Sequence, residues 1–218
     1  MITQSETRPV AAAADYFGVF GLARKLNLDL AALEKEFYRL SRKLHPDLFV
    51  NRSANEQERA LEQSSQLNDA YRTLRDPIAR TQYLLGLEGV QLEEQSKAAT
   101  DAARQSGEEK KQVVPPDLLE EVFELNMQLQ ELKMSGEKDP EVIAQLETAK
   151  RNFEQRLDDS SFELRRYWDA WDAIIDREAR SNSFAAERIK VRDQMVDLLN
   201  RRSYIRNLVR DVNTALSE

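Results

Sequence analysis

Pro46 sits between two stretches whose apolar residues recur every three or four positions, and this constrains the fold more than any other feature. Upstream, Leu33, Phe37, Leu40 and Leu44 are spaced four, three and four apart, one face of a helix. Asp29 fits its N-cap, because a carboxylate there accepts the free amides of the first turn. A proline pushes the residue before it away from helical geometry, so the helix stops near Leu44. After a polar loop, Val50 to Asn55, the residues Ala60, Ser64, Leu67, Tyr71 and Leu74 mark a second helix. Two such faces joined by a short turn pack antiparallel. Asp76-Pro77 reads as the N-cap and first position of a shorter helix carrying Ile78, Tyr83, Leu84 and Leu85, closed by Gly86 and Gly89. With Tyr16, Phe17, Val19, Phe20 and Leu22 ahead of them, residues 15–89 describe one compact unit, preceded by a flexible tail over 1–14.

Beyond it, residues 90–114 are rich in Glu, Gln, Lys, Ala and Ser and read as a charged linker. Periodicity resumes at Leu118 to Met134. Asp139-Pro140 then caps a long helix, Glu141 to Arg180, with a kink expected near Asp158-Asp159-Ser160-Ser161. Ser181-Asn182-Ser183 breaks it. A last helix over 184–216 repeats Ile189, Val196, Leu199, Ile205, Leu208, Val212 and Leu216. Short turns between three helices imply an antiparallel bundle over 115–218, with Trp168 and Trp171 as bundle-core or hinge residues. Only 6 Gly and 6 Pro in 218 residues, and one third charged residues, favour helix throughout. The expected class is all-α.

A net charge of −7 opposes wholesale nucleic-acid binding, which needs a net-basic face. With no cysteine and His45 as the single histidine, a Cys/His metal site, a cysteine nucleophile and structural disulfides are excluded. No apolar run approaches the roughly 20 residues of a membrane span, and Ala11 to Ala14 is too short for a signal-peptide core. A cytoplasmic protein without cofactor or membrane partner is expected.

The segment Phe37-Tyr38-Arg39-Leu40-Ser41-Arg42-Lys43-Leu44-His45-Pro46-Asp47 puts Lys35, Arg39 and Arg42 on an outer face, with Lys43 on the next row. By themselves these cations could simply be solvated charges near the negative end of a helix dipole. Together with the downstream string Leu67-Asn68-Asp69-Ala70-Tyr71-Arg72-Thr73-Leu74-Arg75-Asp76-Pro77, however, the stretch resembles the J-domain family. The resemblance implies that Arg39, Arg42 and Lys43 dock an acidic surface of a DnaK- or HscA-class ATPase. It also implies that His45, Pro46 and Asp47 reach the contact that couples nucleotide hydrolysis to client capture. Leu48 stands where many J-domains carry Lys or Arg, which implies lower affinity or a narrower choice of chaperone.

The flanks, Asp15-Tyr16-Phe17, Phe20-Gly21-Leu22 and Arg80 with Tyr83-Leu84-Leu85, together with a bundle downstream, resemble the HscB family of iron–sulfur cluster co-chaperones. The first bundle helix has a core seam, Leu118, Val122, Leu125, Leu129 and Leu132. It also has a second apolar column, Leu119, Phe123 and Met127, bordered by Glu120, Glu124 and Glu131. That column either packs a second bundle neighbour or forms an acid-rimmed strip for a partner. The string from Leu118 to Asn126 resembles the HscB segment that binds the scaffold protein IscU. Carried over by position, Leu119, Phe123, Glu124, Met127, Glu131 and Tyr204 become scaffold contacts. Glu120 and Met127 depart from the family pattern, and the insertion over 91–112 is longer than usual. The absence of an N-terminal Cys-x-x-Cys pair implies a bacterial-type member.

The implied function is therefore delivery of an IscU-type scaffold to the chaperone for iron–sulfur cluster assembly. The alternative keeps the J-domain but gives the bundle another client, in general folding or complex assembly. An enzyme using His45 and Asp47 as a base pair is disfavoured, because it needs a nucleophile or metal and a pocket that a turn between exposed helices does not offer.

Overall fold

The computed structural model describes residues 15–92, 114–135, 139–178 and 184–217. The expected tail, most of the linker, and the turns around Gly136 and Asn182 lie outside these residues. The regular elements described are helical: α1 (Tyr16–Val19), α2 (Leu30–Lys43), α3 (Ala54–Arg75), α4 (Pro77–Leu87), α5 (Leu119–Ser135), α6 (Pro140–Glu178) and α7 (Ala185–Ser217), with 3-10 turns at Pro46–Phe49 and Pro116–Leu118. Two compact units emerge. Among the described residues, one holds 15–88 with 171–178, and the other holds 89–92, 114–135, 139–170 and 184–217.

In the first unit the two expected caps, Asp29 and Asp76, are in place, and α3 has a third that the sequence reading did not name. Asp29 accepts the amides of Ala31 and Ala32, both at 3.0 Å, and α2 ends with Leu44 as C-cap. Ser53 and Glu56 form a reciprocal capping box on α3, and Asp76 accepts the Ala79 amide at 2.7 Å ahead of Pro77. Gly86 lies inside α4. Gly89 alone supplies the left-handed termination, with φ +78°, which a side chain would strain. The core is built from Phe17, Phe20, Leu26, Leu33, Ala60, Leu67, Ala70, Leu74, Leu84 and Leu85. Phe37 stacks on Tyr71 with centroids 4.2 Å apart, and Tyr16 stacks on Tyr83 at 4.3 Å. These pairs fasten α2 to α3 and α1 to α4.

The last two turns of α6 also belong to this unit. Trp171 is fully buried and its indole donates to the Arg24 carbonyl at 2.9 Å. The two carboxylate oxygens of Asp172 accept the amides of Leu26 at 2.7 Å and Asn27 at 2.9 Å, and Lys25 pairs with Asp176 at 2.5 Å. Arg80 is buried and donates to the Leu74 carbonyl at 2.6 Å. Burial lowers its pKa, opposed by the charges of Asp172 and Asp76. Periodicity placed the whole of this helix in the bundle, but these polar contacts draw its end to the 24–27 loop.

In the second unit, Leu118, Val122 and Leu125 of the α5 region pack with Val142, Leu146 and Phe153 of α6 and with Ile205, Leu208 and Val212 of α7. Each fully buried side chain of this kind contributes about 1.5–3 kcal/mol relative to exposure. Asp139 caps α6 by accepting the Glu141 amide at 2.8 Å. The run Asp158-Asp159-Ser160-Ser161 does not interrupt α6. Ser160 and Ser161 instead turn their hydroxyls to the Leu157 carbonyl, and Arg202 of α7 donates to Ser160 at 2.6 Å. Early in α7 the buried residues are Val191, Met195 and Leu198, whereas Ile189, expected on the apolar face, is 48% exposed. At that end the buried stripe begins two residues later than the spacing suggested.

Candidate functional site

His45, Pro46 and Asp47 occupy the start of the 3-10 turn that joins α2 to the loop before α3. The proline cannot continue α2, and its fixed φ suits the first position of the new turn. The Asp47 amide donates to His45 Nδ1 at 3.3 Å and the Leu48 amide to the His45 carbonyl at 3.0 Å. The Asp47 carboxylate lies 3.5 Å from Nδ1, and both side chains are largely in solvent. A partner can therefore reach the whole turn.

Arg39, Arg42 and Lys43 are exposed at the C-terminal end of α2, where cations oppose the helix dipole. Arg39 is engaged with Glu36, its Nε at 2.7 Å from Oε2. That hydrogen bond, though partly offset by desolvation, holds Glu36 below the usual carboxylate range. Arg42 and Lys43 are the more available cations. Leu48, already noted where many J-domains carry a cation, is exposed, and so are two apolar side chains that the sequence did not single out, Val50 of the loop after the turn and Leu61 of α3. Their exposure is invisible to periodicity, because Leu61 follows the buried Ala60 in an otherwise ordinary helix.

On α5 the two apolar columns separate cleanly. Leu118, Val122 and Leu125 are buried, while Leu119, Phe123 and Met127 are 54%, 66% and 58% exposed. The second column therefore faces solvent and is not consumed by bundle packing. Met134, seven positions beyond Met127 and more exposed still, extends it, a continuation the sequence reading missed. Glu120, Glu124 and Glu131 are exposed, whereas Glu121 turns away to pair with Arg156 at 2.6 Å. Beside them an open groove of about 820 Å³ runs between α5 and α6, with Glu121, Glu124, Gln128 and Glu141 among its lining residues. Tyr204 is half-buried against the bundle core, its hydroxyl pushed up by burial and by the nearby charge of Asp211. It sits one turn from Arg201, whose guanidinium reaches Asp117 at 3.5 Å near the start of α5. Tyr204 is thus a partly buried residue of α7, near the level at which α5 begins.

Among the described residues no His, Asp and Glu cluster could hold a metal ion, and no helix is long and apolar enough to cross a membrane.

Residues 15–83 match the family model of the DnaJ domain. Two co-chaperone HscB homologues from Vibrio cholerae strains are 41% identical over 78 residues, covering 36% of this chain and 46% of theirs. The matched stretch thus spans about half the length of these relatives. Among solved structures, chaperone HscB from Vibrio cholerae aligns over 94% of this chain and 98% of its own with a TM-score of 0.52 at 24% identity. The human co-chaperone HscB aligns over 94% and 83% with a TM-score of 0.54 at 20% identity. The likeness of fold extends along 94% of this chain in both cases, and the segment that matches the DnaJ domain includes the turn. A DnaJ-domain segment followed by a helical bundle of this kind makes the chain one that resembles the HscB co-chaperones.

Proposed function

We propose that this chain is a J-domain co-chaperone that stimulates the ATPase of a DnaK- or HscA-class chaperone and delivers an IscU-type iron–sulfur scaffold protein to it. The carrying observation is the exposed His45-Pro46-Asp47 turn at the end of a basic helix, inside a segment that matches the DnaJ domain. Arg42 and Lys43 steer the chain toward an acidic surface, and the turn then makes contacts that differ between two states of the partner. A ligand shifts an equilibrium only by such a difference in affinity, so no bond is made or broken on this chain. The second end is the α5 strip. Leu119, Phe123 and Met127 supply apolar area, Glu124 and Glu131 an acidic rim, and Tyr204 an aromatic neighbour, a layout suited to a partner with apolar and basic groups. A cytoplasmic setting suits both partners.

The test is single-turnover ATP hydrolysis by a DnaK-class chaperone with the full chain added. Wild type accelerates hydrolysis. Asp47→Asn, at an exposed position, leaves the helical circular-dichroism spectrum unchanged and removes the acceleration. Full stimulation by that variant overturns the reading.

A further inference from the structure

The first unit leaves three apolar side chains in water around its turn: Leu48 at 61%, Val50 at 65% and Leu61 at 62% of full exposure. Leu48 follows Asp47 directly, and the hydrogen bond from its amide to the His45 carbonyl fixes it on the same 3-10 turn. The Val50 carbonyl accepts from Gln57 Nε2 at 3.0 Å, which ties this loop to the first turns of α3. Leu61 lies four residues beyond Gln57, on the same row of that helix. The three side chains thus lie on the turn, on the loop after it and two turns into α3, and the α3 core is made by Ala60, Leu67, Ala70 and Leu74 without them.

One exposed leucine says nothing, since much of any protein surface is apolar. Three beside a turn already read as a docking point say more. A protein that seats the turn covers about 800 Å² of this chain, roughly 20–30 residues. A footprint centred on Asp47 must include Leu48 and Val50 and reaches the start of α3. Charged rims mainly set the rate of encounter, while desolvated apolar contacts at the centre set how long a complex lasts. Arg42 and Lys43 fill the first role on α2 and leave the second unfilled.

We infer that Leu48, Val50 and Leu61 form the apolar half of the chaperone-docking surface and select an ATPase whose docking face carries an apolar patch beside its acidic one. This deepens the reading proposed above and rests on it. The full chain carrying Leu48→Ser, Val50→Ser and Leu61→Ser is titrated into a DnaK-class chaperone, and single-turnover ATP hydrolysis is followed. The concentration giving half-maximal stimulation rises about tenfold, the saturating rate is retained, and the dependence on salt stays as in wild type. Leu48→Ser alone, which leaves the fold untouched, raises it about threefold. Leu30→Ser, an exposed apolar residue at the other end of α2, leaves it unchanged. An unchanged half-maximal concentration in the triple variant, with Asp47→Asn inactive, overturns this inference alone. No stimulation by wild type overturns it together with the function proposed above. Loss of self-association or of scaffold binding in the triple variant, with chaperone stimulation intact, assigns the patch to another occupant and likewise overturns it.

Discussion

Asp15 caps α1 by accepting the Gly18 amide hydrogen at 2.9 Å, and its other oxygen takes the Arg24 side chain at 2.7–2.8 Å. Burial raises its pKa. The Gly18 amide, the Arg24 hydrogen bond and the Arg24 charge together outweigh that and leave the group below its ordinary value of 3.8. A carboxylate whose pKa is depressed by folding stabilises the fold above its unfolded value, and that stability disappears as pH falls through the folded value. Asp15→Asn should therefore lower stability near neutral pH by about 1 kcal/mol, as loss of a charged cap does. It should also flatten the decline below about pH 4. Urea denaturation at a series of pH values reads both effects, and an unchanged acid limb would show that this carboxylate does not contribute. Asp15 was visible in the sequence as the start of order, but its bond to Arg24, nine residues on, depends on the path of the intervening loop.

At the scale of the element, α5 separates stability from binding. Truncating Leu125 removes buried volume and costs about 2–5 kcal/mol, as large-to-small core changes do. Phe123→Ala, on the exposed column, should change stability by less than about 1 kcal/mol. It should weaken binding of an IscU-type scaffold about tenfold or more, because exposed aromatics that become buried in an interface carry much of its energy. Calorimetric titration of the full chain with the scaffold, beside thermal melts, measures both. Equal affinity for wild type and variant would direct the search for a client elsewhere. The spacing of Leu118, Val122 and Leu125 was enough to identify the seam, since a 3.6-residue period demands one. Whether Leu119, Phe123 and Met127 met a second helix could not be read from spacing, because an amphipathic pattern names a face without naming its neighbour. The same limit explains Ile189, which fits the period of α7 and still lies outside its buried stripe.

For the molecule as a whole, the first unit is assembled from two pieces far apart in sequence. Helix starts, caps and stops were legible because each depends on a few adjacent residues: Asp29, Asp76-Pro77 and Asp139-Pro140 all act locally. Nothing local in Trp171 or Asp172 says that they seal the 24–27 loop some 145 residues upstream. Trp171→Ala should cost about 3–5 kcal/mol, the range for emptying a buried aromatic site. Hydrogen exchange should then show faster exchange of amides in α3 and α4, although the substitution lies nearly 100 residues beyond them. Protection in 15–88 that survives the change would mean that the N-terminal piece stands alone.

The two-piece build of that unit also sets an order of events during synthesis. Residues 15–88 leave the ribosome well before Trp171 and Asp172 exist, and at about 5–20 residues per second the gap lasts several seconds or more. During that interval the amides of Leu26 and Asn27 lack their acceptor, and the Arg24 carbonyl lacks its indole donor. A nascent chain thus carries the turn before it carries the piece that completes its support, and the unit matures only after most of the polypeptide has been made.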